Sequence, residues 1–479
     1  VDMATVILWF ILVFNIFLAF AIVFLERKNA TSAWAWLLVL MFIPVFGFFL
    51  YLIFGRKLSN KKLFIWDNKS KLGVQNAVKV QLDLIKEGSF PIPKGLEEYE
   101  DLLFLHLRND DAIYTQDNDV EIFTDGNEKF NALIADMEQA KDHIHLIYYI
   151  IRNDNLGQRI ADTLVKKAKE GVKVRFLYDD MGSRGLGKKY ITRLKDAGVE
   201  VESFFPPLIP KVNFKINHRN HRKLAIIDGN IGYIGGFNIG DEYLGESEKF
   251  GYWRDTHLRV IGESVRNMQI RYILDWNQAS RNTILYEDRY FESNPKGDVG
   301  IQIVSSGPDS DWEQIKIGYI KMIMEAREYV YIQTPYFIPD ESLADAVRIA
   351  VLSGVDVRIM IPNKPDHPFV YWATYSYVGE LLEAGAKIYV YQPGFLHAKT
   401  IVVDGKIASV GTANIDVRSF RLNFEVNAFL YSEKIARKLV SEYHKDIANS
   451  NELTWDVYKQ RSLWIRFKES VARLIAPIL

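Results

Sequence analysis

The chain has 479 residues, enough for two or three domains and a large core. Its hydrophobic share of 48% fits a folded protein with a membrane-embedded part, and a net charge of −1 excludes a global basic field that would recruit nucleic acid or anionic lipid. There is no cysteine, which excludes disulfides, thiolate zinc sites and cysteine nucleophiles and suits a reducing compartment without fixing one.

Val1 and Asp2 stand before Met3 and are read as residues added ahead of a natural start. Ala4 to Leu25 is an uncharged run in which only Thr5 and Asn15 interrupt the apolar residues. As a helix it would be roughly 33 Å long, enough to cross a bilayer core. Ala33 to Phe54 is a second uncharged run, with Pro44 and Gly47 placed to kink it. A cleavable signal peptide accounts for neither the length of the first run nor the presence of the second. The short link Glu26 to Ser32 makes the two runs a tight transmembrane hairpin. Arg56, Lys57, Lys61, Lys62, Lys69 and Lys71 follow the second run, whereas the link carries only Arg27 and Lys28 beside Glu26. The positive-inside bias therefore predicts a multi-pass membrane protein with its large C-terminal part in the cytoplasm.

Residues 59–110 read as a polar connector with helical stretches and the punctuation Pro91-Ile92-Pro93, packed on the large C-terminal part or on the membrane surface. From about Asp111 the chain repeats itself. Val120–Gly126 resembles Ile301–Gly307, Ala140–Ile150 parallels Ala326–Phe337, Gly171–Leu177 parallels Gly354–Met360, and Ala197–Val201 parallels Ala384–Ile388. Strands alternating with helical segments at this spacing predict α/β layers. The expected organisation is a two-span hairpin over 1–58, the connector over 59–110, and two repeated α/β/α halves over 111–290 and 291–479. The second half closes on an amphipathic helix. In that helix Leu463, Trp464, Phe467, Val471, Leu474 and Ile475 alternate with Arg461, Arg466, Lys468 and Arg473, which suits either a membrane interface or docking on the domain.

Each half carries one copy of a short pattern. The first is His221-x-Lys223-x4-Asp228, followed by Gly235, Gly236 and Asn238; the second is His397-x-Lys399-x4-Asp404, followed by Gly411, Thr412 and Asn414. The internal register of the two is the same. Each lies on a β-prone run ending in an Asp-Gly turn, Asp228-Gly229 or Asp404-Gly405, so His and Lys are expected on one face of a hairpin strand. Two imidazoles can act as nucleophile and general acid, two lysines can neutralise a phosphoryl group, and two asparagines can donate to its remaining oxygens. Phosphoryl transfer needs positioning and electrostatic stabilisation above all, and this set supplies both without calling for a metal or cofactor. A histidine nucleophile would split the displacement into two steps through a phosphohistidine.

These residues resemble the phospholipase D superfamily, whose signature is His-x-Lys-x4-Asp with a trailing Gly-Gly or Gly-Ser/Thr and Asn. The resemblance covers both copies and most of residues 111–450. It implies one site at a pseudo-twofold interface between the halves, with His221 as nucleophile and His397 as acid and base, two roles that the sequence itself does not tell apart. It also implies that Asp228 and Asp404 hold structure and that a separate carboxylate orients each histidine, at positions matching Glu425 and Asp255. Within the superfamily the chain is more similar to bacterial cardiolipin synthases. The stretches Tyr51–Arg56, Gly235–Tyr243, Gln333–Phe337, Thr412–Phe420 and Arg473–Leu479 carry that likeness. It implies transfer of a phosphatidyl group between two phosphatidylglycerol molecules, giving cardiolipin and glycerol. A phospholipase D-type hydrolase, or a synthase using phosphatidylethanolamine or CDP-diacylglycerol, is the alternative. A nuclease is disfavoured by the charge and the spans, a catalytically dead scaffold by the intact motifs; the choice between monomer and homo-oligomer stays open.

Weaker signals accompany these. Arg418 and Arg421 could hold a lipid phosphate or form a solvated ion pair. Gly182–Lys189 nearly matches a P-loop, but Lys189 replaces the hydroxyl that would bind Mg²⁺, so a surface or headgroup loop is expected. His143 and His145 share a strand face and are read as core or surface histidines rather than as a metal pair.

Overall fold

The computed structural model describes residues 2–25, 30–54, 68–206, 217–310, 312–364 and 366–475. By packing, the N-terminal apolar stretch forms one compact unit, and 68–205 with 219–475 form another.

In the N-terminal unit Met3–Leu25 is one helix, and its stretch Thr5–Leu25 is, among the described residues, the one helix long and apolar enough to cross a membrane. The second expected span is not a single helix. It divides into Ala30–Phe42 and Phe46–Phe54, 13 and 9 residues long, each shorter than the roughly 20 residues a bilayer core requires. Pro44 has no N–H and cannot continue the ladder, and Val45 takes a left-handed φ of 64°. The groups this break frees are met from the first helix. Asn15 Nδ2 donates to Leu40 O at 3.1 Å, and its Oδ1 accepts from Val45 N at 3.0 Å. The polar residue that interrupted the first run is thus the partner of the break in the second. Leu18, Ile22, Leu40 and Tyr51 form the small core around it.

The second unit holds two sheets with a common plan. In the first the strand order is Asn118–Phe123, His257–Gly262, Ile231–Gly235, Leu224–Ile227, His143–Tyr148, Lys173–Asp179, Glu200–Phe204. In the second, Gly300–Ser306, Asn423–Tyr431, Ile407–Gly411, Thr400–Val403, Tyr329–Gln333, Asp356–Pro362 and Lys387–Tyr391 follow in the same order. Tyr114–Thr115 and Ser450–Leu453 extend the second sheet at its two ends. The central strands are rich in Val and Ile and buried along their whole length, as sheets covered on both faces require. The connector helices Asn68–Lys86 and Glu100–Asp110 belong to this unit, with Val74, Val78 and Leu107 packed near Ile113 and Ile270.

Two further strand pairs join the halves. Arg219–Asn220 runs parallel to Asn423 and Phe424, and Tyr252–Arg254 runs parallel to Gly394–Leu396. Each half therefore lends a short strand to the other, immediately before His221, Asp255, His397 and Glu425.

Candidate active site

His221 and Lys223 lie not within the hairpin strand but in the three residues between the cross-half strand Arg219–Asn220 and the strand Leu224–Ile227. His397 and Lys399 occupy the same crossing between Gly394–Leu396 and Thr400–Val403. The expected hairpins exist, yet the His-x-Lys residues stand one step ahead of them, because their backbone is claimed by the other half. His221 N donates to Phe424 O at 2.9 Å, and His397 N donates to Arg254 O at 2.7 Å.

Each imidazole meets a carboxylate from the opposite half. His221 Nδ1 lies 2.9 and 3.0 Å from the two oxygens of Glu425, and His397 Nδ1 lies 2.5 Å from Asp255 Oδ2. A carboxylate accepts, so Nδ1–H donates and the lone pair stays on Nε2, the form a nucleophile or base needs. Lys223 Nζ donates to His221 O at 2.6 Å and Lys399 Nζ to His397 O at 2.5 Å. All six side chains are buried.

Burial sets the charge states. It pushes both imidazoles down to about 4, against the pull of Glu425 on His221 and of Asp255 on His397. It pushes Lys223 down to about 7 and Lys399 to about 8, and the charge of Lys399 lowers Lys223 further. Burial alone would raise Glu425 and Asp255, but their histidines and lysines hold both below the ordinary carboxylate range. The directions agree on one resting state, neutral imidazoles against ionised carboxylates. The cross-half contacts of both histidines, and the reach of the Lys399 charge to His221 and Lys223, place the two motifs in one site, where an entering anion would be welcomed.

The asparagines lie beside the motifs. Asn238 Oδ1 accepts from Ile150 N at 3.1 Å, which leaves the amide NH₂ as its donating end. Asn414 is buried, and its Oδ1 has no partner among the described residues. The motif aspartates point elsewhere. Asp228 accepts from the N–H groups of Lys141, Asp142 and His143 at 2.8, 2.8 and 2.9 Å, and Asp404 from those of Arg327, Glu328 and Tyr329, each at 2.8 Å. Both have a left-handed φ near 50°, so each closes a turn and ties it to the next strand.

A family model described as "Cardiolipin synthase, PLD-like domain" matches residues 133–249 and 319–447, and one described as "Phospholipase_D-nuclease N-terminal" matches residues 7–56. Cardiolipin synthase of Oceanobacillus iheyensis is 66% identical over 468 residues, covering 98% of each chain. The chain belongs to this family. The major cardiolipin synthase of Bacillus subtilis (strain 168), another relative, is 56% identical over 481 residues and covers 100% of both chains. Among solved structures, phosphatidylserine synthase from Haemophilus influenzae Rd KW20 is similar at a TM-score of 0.60 and 16% identity, over 75% of this chain and 95% of that one, a likeness of fold alone.

In this family member several residues of the site escaped sequence reasoning. Tyr149 sets its ring edge against His221 at 4.9 Å and lies 5.5 Å from Lys223 Nζ, while Trp253 packs at 5.1 Å against His397. Thr412 Oγ1 donates to Glu425 Oε2 at 2.6 Å. The buried Arg222 and Arg254 clamp the seam. Arg222 reaches Glu425 O at 3.1 Å and Asp275 at 2.5 Å, and Arg254 reaches Asp446 at 2.7 Å. Arg222 stands between His221 and Lys223, and Trp253 and Arg254 directly precede Asp255, so adjacency was the available signal for these three, while Tyr149 offered none.

The weaker signals separate. Burial raises the pKa values of Tyr149 and Asp416, and Arg418 lies close enough to both for its charge to oppose that rise. Arg421 is committed to Glu313 at 2.6 Å, with Asp340 at 3.7 Å. The P-loop-like stretch wraps a carboxylate of its own, since Asp179 Oδ1 accepts from Met181 N and Gly182 N, both at 3.0 Å. His145 lies in the core with Nε2 3.0 Å from Arg175 and Nδ1 beside Gln269, and His143 meets Asp142 at 2.6 Å.

Proposed function

We propose that the chain makes cardiolipin by phospholipase D-type transfer of a phosphatidyl group from one phosphatidylglycerol to another, releasing glycerol. The observation that carries this reading is the pair of histidine–carboxylate contacts formed across the halves, with two buried lysines between them. In the first step His221 Nε2 attacks phosphorus, the phosphorus–oxygen bond to the headgroup glycerol breaks, and His397 gives that oxygen its proton. In the second, the hydroxyl of another phosphatidylglycerol returns a proton to His397 and attacks the phosphatidyl-histidine, freeing His221. His397 must therefore carry a proton when donor lipid is bound. The phosphodiester monoanion supplies the reason, because negative charge in a buried site favours imidazolium and ammonium alike. Lys223, Lys399, Asn238 and Asn414 take the non-bridging oxygens, and Glu425 and Asp255 hold the rings. Arg418 is the better placed of the two arginines to meet a lipid phosphate.

The two halves are read as related by a pseudo-twofold axis, which the matching strand orders and reciprocal strand exchange support. Met3–Leu25 is read as a membrane span, with the broken helices Ala30–Phe42 and Phe46–Phe54 as a second embedded segment. The basic run from Arg56 to Lys71 favours the cytoplasmic side for the rest.

The test is direct. Purified chain supplied with phosphatidylglycerol alone should release glycerol and cardiolipin in equal amounts, and His221→Ala and His397→Ala should each abolish both. Phosphatidic acid as the sole product would replace the transferase reading with a hydrolase, and turnover unaffected by either substitution would remove the site altogether.

A further inference from the structure

The C-terminal helix Leu463–Ile475 meets both of its sequence expectations on different faces. One face docks on helix Pro368–Ala384. Glu469 and Ala472 are buried there, Arg473 bonds Glu380 and stands 4.5 Å from the Tyr377 ring, and Arg461 bonds Glu469. The helical period carries Leu463, Trp464, Phe467 and Leu474 to the opposite side. They are 82%, 63%, 57% and 79% exposed. The apolar surface continues onto the neighbouring helix, where Phe369 is 47% exposed and meets Trp372 edge-on at 5.5 Å. Lys468 Nζ joins the two parts, 4.9 Å from the Trp372 ring and 5.4 Å from the Trp464 ring.

Two observations choose the occupant. The first is composition. Tryptophan and phenylalanine interleaved with Lys468 and Arg466 suit the headgroup boundary of a bilayer, where aromatic rings and cations are both favoured. The core of a protein interface excludes lysine, and Lys468 lies in the middle of this patch without an ion pair among the described residues. The second is place. Helix Pro368–Ala384 begins two residues beyond Asp366, whose carboxylate bonds the Tyr336 hydroxyl and whose charge reaches Lys399 in the site. The aromatic patch and the edge of the site therefore share one helix.

We propose that Leu463, Trp464, Phe467 and Leu474, with Phe369 and Trp372, form a docking patch for a lipid bilayer surface, held there in addition to the N-terminal apolar helix, and that this patch seats the edge of the site on the membrane. The patch gives lipids whose tails stay in the bilayer a short path to Lys399. The choice of an anionic bilayer rests on the phosphatidyl-transfer reading above.

The chain has no cysteine, so a single introduced one carries a unique probe. Phe467→Cys, bearing an environment-sensitive nitrobenzoxadiazole label, is reconstituted as the full chain in vesicles of phosphatidylglycerol and phosphatidylcholine. Lys141→Cys is the control, beside the Asp228 turn at the far end of its strand from His221. The expected result is blue-shifted emission at position 467, quenched several-fold more by shallow nitroxide-labelled lipid than by aqueous iodide, with the reverse order at position 141. Iodide-dominated quenching at 467 overturns the proposal. So does a blue shift insensitive to nitroxide lipid, which would mark a second copy or another protein on the patch. Cardiolipin output is measured on unlabelled chain in the same vesicles. Cardiolipin formed beside an aqueous probe sinks the patch alone, and an inserted probe without cardiolipin sinks the transfer reading alone.

Discussion

Replacing Glu425 by Gln alters one atom of a buried set and tests the whole arrangement. The carboxylate lies 2.9 and 3.0 Å from His221 Nδ1 and accepts from Thr412 Oγ1 at 2.6 Å, with Asn423 Nδ2 at 3.4 Å. Every neighbour is thus a donor. An amide of the same shape has one accepting end. If its NH₂ faces His221, Nδ1 must accept, the ring proton moves to Nε2, and the attacking lone pair is lost. If its oxygen faces His221, the hydroxyl of Thr412 loses its carboxylate and no negative charge balances the cation forming on the ring. Losing a charge-assisted hydrogen bond alone removes about 2–3 kcal/mol, and the wrong tautomer in a comparable triad costs about 10⁴ in rate. The expected fall in the rate of cardiolipin formation is therefore about 10² to 10⁴, or roughly 3–5.5 kcal/mol of barrier. Initial rates from phosphatidylglycerol vesicles measure it, with thermal unfolding run in parallel. A variant that unfolds like the wild type and keeps its rate within about threefold would refute the assignment of Glu425 as the orienting group. Adduct trapping adds the division of roles. With a donor whose leaving group needs no proton, Glu425→Gln should fail to form phosphatidyl-enzyme while Asp255→Asn still forms it. The opposite pattern would exchange the roles of His221 and His397.

Three further outcomes follow from the same geometry. Because burial places Lys223 near 7 and Lys399 near 8 in the empty site, with the charge of Lys399 adding to the fall of Lys223, raising the pH removes the charges that receive the phosphate. The ratio kcat/KM should fall on the alkaline side above about pH 8 with a slope steeper than one proton, and kcat should fall at higher pH, since bound phosphodiester holds the lysines protonated; a flat kcat/KM from pH 7 to about 9.5 would contradict it. Asp228→Ala leaves three backbone N–H groups without their acceptor and should cost about 2–4 kcal/mol of stability, read as a lowered unfolding temperature, whereas Asp228→Asn, which tolerates the left-handed φ of 50°, should recover part of it. If Asp228→Ala instead unfolded normally but lost all turnover, the aspartate would be part of the chemistry. Asn15→Leu strips the partner from Leu40 O and Val45 N at the break in the second apolar run, and should lower the yield of folded chain in membranes; an unchanged yield would mean that the break is satisfied by other groups.

What could be read from the sequence was local, and what could not was made by pairing across long separations. The β-prone runs, the Asp-Gly turns and the repeat were legible because period-two patterning and turn chemistry act over a few residues. The place of His221 and His397 was not, because the strands before them pair with partners some two hundred and one hundred and forty residues away, through Phe424 and Arg254. The carboxylates were reached through the family resemblance rather than through local pattern. Asp255 and Glu425 fall at unequal distances from the histidines of their own halves, which makes them look unrelated. In the sheets, however, His257 faces Gly235 and Asn427 faces Gly411, so each carboxylate lies two residues ahead of the same place in the ladder. The extra length in the first half is taken up by the turn Asp241–Leu244 and the loop after it, before the chain returns at Tyr252. Asn15 carries the same lesson within the N-terminal apolar unit. In the sequence it was an impurity in an apolar run, and it became a necessity once Pro44 broke the second run and freed backbone groups that apolar neighbours cannot satisfy.

The exchange of strands also explains why neither half has a working site of its own. Each contributes a histidine whose ring is held by the other half's carboxylate and whose backbone N–H is held by the other half's strand. Separating the halves would leave both imidazoles without their acceptors and would part Arg254 from Asp446. That cost falls on the seam clamped by Arg222 and Arg254, the two arginines that stand next to His221 and Asp255 in the chain. Stability of the interface and orientation of the two imidazole rings are therefore carried by adjacent residues, and a substitution at either arginine should register in both the unfolding temperature and the rate.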